Sequence, residues 1–209
     1  MPCIYVLAGV NGAGKSSLGG AMIRAAGADY YNPDEAARVI RLRQPALTVQ
    51  QANAAAWQQG RRLLEQAIAG RKDFAFETTL GASTMPRLLD QAVDAGMQVR
   101  IWFAGLSSPE LHLARVKARV AKGGHDIPEA DIRRRYQHSR INLIALLPRL
   151  TALRMYDNSA EADPSRGKPP VPQLVLHLER GKLMNLPDLP HTPAWAKPIV
   201  AAALKLQGQ

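Results

Sequence analysis

The chain has 209 residues, of which 46% are hydrophobic, and this suits one well-buried domain or, as an alternative, two small ones. No apolar run approaches the ~18 residues of a membrane span, and no signal peptide is recognisable at the N-terminus. The single cysteine, Cys3, excludes an intramolecular disulfide framework and a zinc cluster. We therefore expect a cytoplasmic protein without membrane association. The formal net charge of +10 calls for a negatively charged partner: nucleic acid, a nucleotide, a nucleotide-sugar or an acidic protein.

Short apolar runs alternate with longer helical patterns along most of the chain. The first run, "IYVLAGV", is continuously apolar and predicts a strand buried on both faces. Strands that alternate with helices at this spacing predict a sheet of about five mostly parallel strands with helices on both faces, which is an α/β fold in three layers. The predicted strands span residues 4–10, 28–32, 74–80, 98–106 and 153–159.

Capping residues and glycines mark the predicted helix boundaries. Thr48 and Gln51 have the spacing of a capping box, and Gly70 ends the helix that they begin. Ser108 and Pro109 suit the cap and first turn of a later helix, which the Gly123-Gly124 pair ends. The predicted helices span residues 15–26, 35–43, 48–70, 85–96, 108–122 and 128–147.

The C-terminal segment has a different pattern. The stretch "QLVLHLERGKLMNL" predicts an antiparallel hairpin that turns at Arg180 and Gly181. The proline-rich remainder predicts a loose tail ending in a short helix. We therefore expect one domain over residues 1–209, with a helical lid over about 107–140 and a hairpin and tail over about 172–209.

A phosphate-binding motif lies between the first strand and the first helix. Gly9, Gly14, Lys15 and Ser16 match G-x-x-x-x-G-K-[ST] without a gap, in the strand-then-helix context that the motif requires. Backbone N–H groups of such a loop cradle phosphates, the lysine reaches the β- and γ-phosphates, and the serine hydroxyl ligates Mg²⁺. We predict a site for ATP, in preference to GTP, with Mg²⁺. The predicted nucleotide contacts are Gly9, Asn11, Gly12, Ala13, Gly14, Lys15, Ser16 and Ser17.

Two carboxylates follow neighbouring predicted strands. Asp34 lies in "YYNPDE" and Glu77 in "FAFETT", with Thr78 and Thr79 as hydroxyl partners. The carboxyl edge of an open α/β sheet is where ligands bind. An acidic group there can accept the proton of an acceptor hydroxyl, and a second can support the metal. The structural alternatives are a helix N-cap for Asp34 and a buried, paired carboxylate for Glu77.

Basic residues concentrate in the predicted lid. Arginines beside a Gly-Gly hinge suit a segment that closes over phosphates and neutralises their charge. One or two members of the run Arg133–Arg135 can face a ligand, because successive helical residues are 100° apart. A nucleic-acid footprint is the rival interpretation, but the patch lacks interleaved aromatic residues and a recognisable binding module. One face of the first lid helix carries Arg115, Arg119 and Lys122, and another carries Leu113, Val116 and Val120.

Five segments taken together resemble the zeta-toxin family, especially its short bacterial members. They are "GVNGAGKSSL", "NPDE", "FETTL", "R-x-x-x-GGHDIP" and "IRRRY", and the resemblance runs from about residue 3 to residue 159. It implies a P-loop kinase with a parallel five-stranded core. Characterised members of that family phosphorylate UDP-N-acetylglucosamine at the 3′-hydroxyl of the sugar and are restrained by a small antitoxin.

The resemblance also implies roles for individual residues. Asp34 matches the base that takes the hydroxyl proton, and Arg119 matches a lid arginine. Departures occur where longer toxins have arginines: His125 lies near the place of a second lid arginine, with Arg134 or Arg135 as its substitute, and Gly81 replaces another. His125 is either a phosphate ligand or a hinge cap. The acceptor is a nucleotide-sugar or, as alternatives, a drug or a nucleoside, and an RNA-binding ATPase is the remaining rival. Lys15 and Ser16 match the nucleotide site, and Glu77 and Thr79 match a Glu-x-Thr that contacts magnesium and substrate.

Overall fold

A sheet whose described part has seven strands forms the centre of the protein. The computed structural model describes residues 1–15, 18, 30–160, 171–185 and 187–208. The strand order is β2-β3-β1-β4-β5-β6-β7, with β1 to β5 parallel and the last two strands antiparallel. The strands are β1 (Cys3–Ala8), β2 (Tyr30–Tyr31), β3 (Phe74–Thr78), β4 (Gln98–Gly105), β5 (Ala152–Asp157), β6 (Gln173–Glu179) and β7 (Lys182–Leu183).

All five predicted parallel strands are present, and the central one explains the continuous apolar run. Strand β1 lies between β3 and β4, and Ile4, Val6 and Leu7 are fully buried. A strand covered on both faces has no polar alternation to show in its sequence. The predicted hairpin is also confirmed, because β6 and β7 pair across a turn in which Arg180 and Gly181 both have positive φ.

The helices begin and end close to the predicted caps. Thr48 Oγ1 accepts the N–H of Gln51 at 3.2 Å, and Gln51 Oε1 accepts the N–H of Thr48 at 2.9 Å, which is the predicted capping box. The predicted helix over 15–26 lies outside the described residues, apart from Lys15 and Leu18. The described helices are α1 (Pro33–Arg43), α2 (Val49–Gly70), α3 (Thr84–Asp94), α4 (Pro109–Val120), α5 (Glu129–Leu146) and α6 (Lys197–Leu206), with a 3₁₀ turn at Leu147–Arg149.

The predicted short helix at the end of the C-terminal tail is confirmed as α6, but the prediction that the tail is loose is wrong. Trp195 is 3% exposed, its ring lies over Gly105 at the end of β4, and its Nε1 donates to Asp157 Oδ1 at 3.0 Å. Ile199 and Val200 of α6 are buried in the main core. The tail docks because Gly105 carries no side chain and leaves room for an indole ring, a contact between residues distant in sequence. None of the described helices is long and apolar enough to cross a membrane.

Candidate active site

The glycine-rich loop after β1 is pressed against its neighbours. Gly9 has φ +144° and Gly14 has φ +78°, which are conformations that favour glycine. A Cβ on Gly9 would lie 2.3 Å from the carbonyl oxygen of Ala104, and one on Gly14 would lie 2.4 Å from Asn158 Nδ2. The loop is therefore closely fitted to the ends of β4 and β5. This is the cradle that backbone N–H groups need in order to surround a phosphate chain.

Lys15 ends the glycine-rich loop, and charged side chains of both signs act on it. Its Nζ donates to the carbonyl oxygen of Gly9 at 3.0 Å. Burial lowers the pKa of Lys15, because the charged ammonium loses solvation. An anion such as a nucleotide phosphate would restore the electrostatic stabilisation that burial removes. Four further side chains are close enough to act on that pKa, two carboxylates that raise it and two guanidinium groups that lower it: Glu77, Asp34, Arg119 and Arg135.

Asn32, and not Asp34, caps helix α1. Asn32 Oδ1 accepts the N–H groups of Asp34 at 2.9 Å and Glu35 at 3.3 Å, so the capping interpretation of Asp34 is wrong. The Asp34 side chain is 55% exposed. Its Oδ2 lies 3.7 Å from Arg119 Nη1 and its Oδ1 lies 3.9 Å from His125 Nε2. The carboxylate is therefore open to solvent on one side and faces basic groups of the predicted lid on the other.

Glu77 is the buried carboxylate of the site. It is 7% exposed at the end of β3, and its Oε1 accepts the hydroxyl of Tyr30 and, at 3.2 Å, the amide of Asn32. The described residues contain no group of three side chains able to hold a metal ion by themselves. Mg²⁺ in nucleotide sites is usually held by one or two protein ligands together with phosphates and water. A single carboxylate close to Lys15 fits that arrangement, while the other predicted ligand, Ser16, lies outside the described residues, as does Ser17.

The two predicted arginines reach the site from separate helices. Arg119, from α4, also donates through Nη2 to the carbonyl oxygen of His125 at 3.4 Å, while its buried Nε has no hydrogen-bond partner among the described residues. Arg135, from α5, donates through Nη1 to Asn11 Oδ1 at 2.8 Å. Burial lowers the pKa of Arg135, partly offset by Asp131. A groove of about 490 Å³ runs along α4 and is lined by Arg115, Ala118, Arg119, Lys122, Gly123 and Gly124.

Gly81 makes room for Arg135. A Cβ at position 81 would lie 2.7 Å from Arg135 Cγ and 2.9 Å from its Cβ. The N–H of Gly81 donates to Thr79 Oγ1 at 3.4 Å, so the hydroxyl of Thr79 takes part in the turn that follows β3. Longer toxins have an arginine at the position of Gly81. In this chain the aliphatic part of Arg135, from α5, fills the space next to Gly81.

The structure does not bring the other two arginines of the run into this cluster. Arg134 is 57% exposed and pairs with Asp131 at 2.8 Å. Arg133 pairs with Glu110 and Glu129 on the surface. The helical rotation between successive residues separates them, and only Arg135 points towards the glycine-rich loop.

Two residues that support the loop escaped the sequence analysis. His112 is 1% exposed, and its Nδ1 lies 2.8 Å from the carbonyl oxygen of Asn11. Burial is the main cause that lowers the pKa of His112 to about 4. Asn158, which follows β5, donates to the carbonyl oxygen of Ala13 at 2.9 Å. The available indications were the spacing of His112 from Val116 on one helix face and the position of Asn158 at the carboxyl edge.

Comparison with known proteins places the chain in a family. Residues 4–140 match the family described as AAA domain. An uncharacterized protein of Haemophilus influenzae is 32% identical over 133 residues, which are 61% of this chain and 88% of that protein.

Two solved structures share the fold. The AvrRxo1-ORF1:AvrRxo1-ORF2 complex with ATP superposes with a TM-score of 0.69 at 14% identity, covering 97% of this chain and 64% of that one. This chain therefore spans less than two thirds of the AvrRxo1 chain. The PezAT toxin-antitoxin system of Streptococcus pneumoniae gives a TM-score of 0.60 at 15% identity, covering 100% and 86%. The expected three-layer α/β P-loop fold is confirmed, and the chain belongs to the AAA-domain family.

Proposed function

We propose that the protein is a zeta-toxin-like kinase that transfers the γ-phosphoryl group of ATP to a hydroxyl of a small molecule. The observation that carries this proposal is the arrangement of charged side chains at the glycine-rich loop: Lys15 donates to Gly9, Arg135 donates to Asn11, and Asp34 lies 3.7 Å from Arg119. The motif alone leaves motors and switches open. A carboxylate open to solvent on one side supplies the acceptor half that a kinase needs.

The proposed chemistry divides the side chains by role. Asp34 takes the proton of the acceptor hydroxyl, whose oxygen forms a bond to the γ-phosphorus as the bond from that phosphorus to the β–γ bridging oxygen breaks and ADP leaves. Lys15, Arg119 and Arg135 stabilise the negative charge on the phosphates. Ser16 and Glu77 would hold Mg²⁺, which when bound would supply further charge neutralisation.

The acceptor that we favour is UDP-N-acetylglucosamine or a related nucleotide-sugar. The support is the resemblance in "NPDE", "FETTL" and "GGHDIP" together with the net charge of +10, which suits a second polyphosphate next to ATP. We propose that Thr79, His125 and Arg134 contact this substrate. Of these, His125 lies 3.9 Å from Asp34, whereas Arg134 would have to leave its pair with Asp131.

We also propose an antitoxin protein as partner and the cytoplasm as the place of action. The support for the partner is the fold shared with the PezAT toxin-antitoxin system. The basic surface of this chain fits an acidic protein. Nucleic acid is disfavoured as a partner because no recognisable nucleic-acid module is present.

The test is a single-turnover incubation with γ-labelled ATP and a panel of nucleotide-sugars, nucleosides, drugs with free hydroxyls, and RNA. We expect label on a nucleotide-sugar. Asp34→Asn should lower transfer by at least about 100-fold, the usual contribution of a general base, and leave the Kd for ATP within about threefold. Glu65→Gln, a surface carboxylate on α2, is the matched control.

Three outcomes would overturn parts of the proposal. Transfer by Asp34→Asn at the wild-type rate would remove Asp34 as the base. Label on a nucleoside or drug hydroxyl would keep the kinase and change the acceptor. Hydrolysis that RNA stimulates, with a steep dependence of binding on salt, would replace the kinase by an RNA-binding ATPase.

A further inference from the structure

Asn11 is held from two sides by the two helices that carry the arginines. Its main-chain oxygen accepts from His112 of α4, and its side-chain oxygen accepts from Arg135 of α5, each at 2.8 Å. Asn11 is 8% exposed, so these bonds are shielded from water. One residue of the glycine-rich loop thereby joins both arginine-bearing helices to the phosphate cradle.

The His112 contact defines a tautomer. A main-chain oxygen can only accept, so the Nδ1 atom of His112 must carry the hydrogen and donate to Asn11. The ring edge of Tyr136 packs near the imidazole, with 5.6 Å between the ring centroids. Burial and the nearby positive charges of Lys15, Arg115 and Arg140 keep the ring neutral at pH 7. Because the ring stays neutral at pH 7, we expect His112 to act through its hydrogen bond and its packing and not through a change of charge.

Helix α4 is seated directly on the loop at this point. A Cβ on Gly12 would lie 2.9 Å from the main-chain oxygen of His112. Val116, one turn further along, packs with Val10 in a small apolar cluster. The loop therefore has little freedom to move away from His112, and loss of the hydrogen bond would remove the partner that the described residues provide for the buried oxygen of Asn11.

We propose that His112 is a positioning residue: it fixes the Asn11 peptide, and through the Asn11 side chain it holds Arg135 beside the bound phosphates. This rests on the proposed function only in requiring that nucleotide phosphates bind at the loop. His112 does not touch the phosphates itself. Its effect on nucleotide binding should therefore depend on the presence of Arg135.

The experiment compares His112→Asn with His112→Leu. The amide nitrogen of asparagine can occupy the place of Nδ1 and donate to Asn11, whereas leucine has similar volume and no donor. Binding of a fluorescent ATP analogue, measured without acceptor, should weaken about 10-fold for His112→Leu and less than threefold for His112→Asn. In an Arg135→Ala background, His112→Leu should weaken binding by no more than threefold.

Binding without acceptor separates this inference from the kinase proposal, because a protein that binds ATP and transfers nothing would overturn only the latter. Equal effects of the leucine and asparagine variants, or equal effects of His112→Leu with and without Arg135, would overturn the positioning role. Should His112→Leu fail to fold, a ¹⁵N spectrum of the wild-type histidine side chains provides the readout. We expect the Nδ1–H tautomer for His112, and an Nε2–H tautomer would contradict the proposal.

Discussion

The side-chain oxygen of Asn32 accepts the backbone N–H of Asp34 at 2.9 Å, so that Asn32, and not Asp34, caps helix α1. The same amide group donates to Glu77 at 3.2 Å. One asparagine thus orients the elements that carry both proposed carboxylates. It leaves the Asp34 carboxylate available to Arg119 and His125.

Replacement of Asn32 should affect both the helix and the site. Asn32→Ala removes the cap and is expected to lower the free energy of unfolding by about 1 kcal/mol. Asn32→Ser keeps a capping oxygen and should restore most of that stability without restoring the bond to Glu77. Urea denaturation measures the effect of the lost cap on stability, and kcat with saturating ATP measures the effect of the lost bond to Glu77. Equal destabilisation by both variants would contradict the capping role.

Replacement of Arg119 or Arg135, which face the site, should lower kcat much more than replacement of Arg133 on the surface. Arg119→Ala or Arg135→Ala should each lower kcat by about 100-fold, because each removes a positive charge close to Lys15. Arg133→Ala is the matched control, since Arg133 pairs with Glu110 and Glu129 on the surface and should leave kcat within about twofold. Initial rates of phosphotransfer at saturating substrates provide the measurement. A large loss in Arg133→Ala alone would reverse the assignment.

Stability should fall as the pH falls below about 6.5, with His112 contributing. The unfolded chain protonates His112 near its ordinary pKa of 6.5, whereas the buried ring resists protonation until about pH 4. Between these values the unfolded state binds more protons, so acid favours unfolding, and the full difference is about 3 kcal/mol. Urea denaturation of the wild type and His112→Asn from pH 7 to pH 4 tests this. The variant should lose less stability, and parallel curves would exclude His112 as a contributor.

Replacement of the buried Trp195 should lower the free energy of unfolding far more than replacement of an exposed tryptophan. Trp195→Ala empties the space over Gly105 and is expected to cost about 3–5 kcal/mol. Trp195→Phe retains most of the ring and leaves Asp157 without the indole N–H, for a cost of about 1–2 kcal/mol. Trp57→Ala, at a residue that is 37% exposed, is the control and should cost less than either. Denaturant midpoints decide the order.

The sequence was most informative where structure depends on neighbours along the chain. The capping box of Thr48 and Gln51, the cap at Ser108 and the turn at Arg180 and Gly181 each involve residues at most a few positions apart, and all are observed. The edge positions of Asp34 and Glu77 followed from the parallel order of the strands. Local rules therefore predicted the fold and the sheet edge at which both carboxylates lie.

Contacts between distant residues were beyond those rules. His112 appeared as one polar residue in a basic helix, although it is buried against a loop 101 positions away. Trp195 finds its place through the absence of a side chain at Gly105. Each depends on which surfaces meet after folding.

The close approach of Arg135 to Gly81 has a consequence for how such chains can diverge. Because Arg135 fills the space that a side chain at position 81 would need, a side chain there requires residue 135 to shift or to become smaller. A chain with an arginine at position 81 would need a smaller or displaced residue 135, and that arginine could then supply, beside Arg119, the positive charge that Arg135 supplies near Lys15. A positive charge could thus come from the turn after β3 in place of helix α5, with no change in the glycine-rich loop.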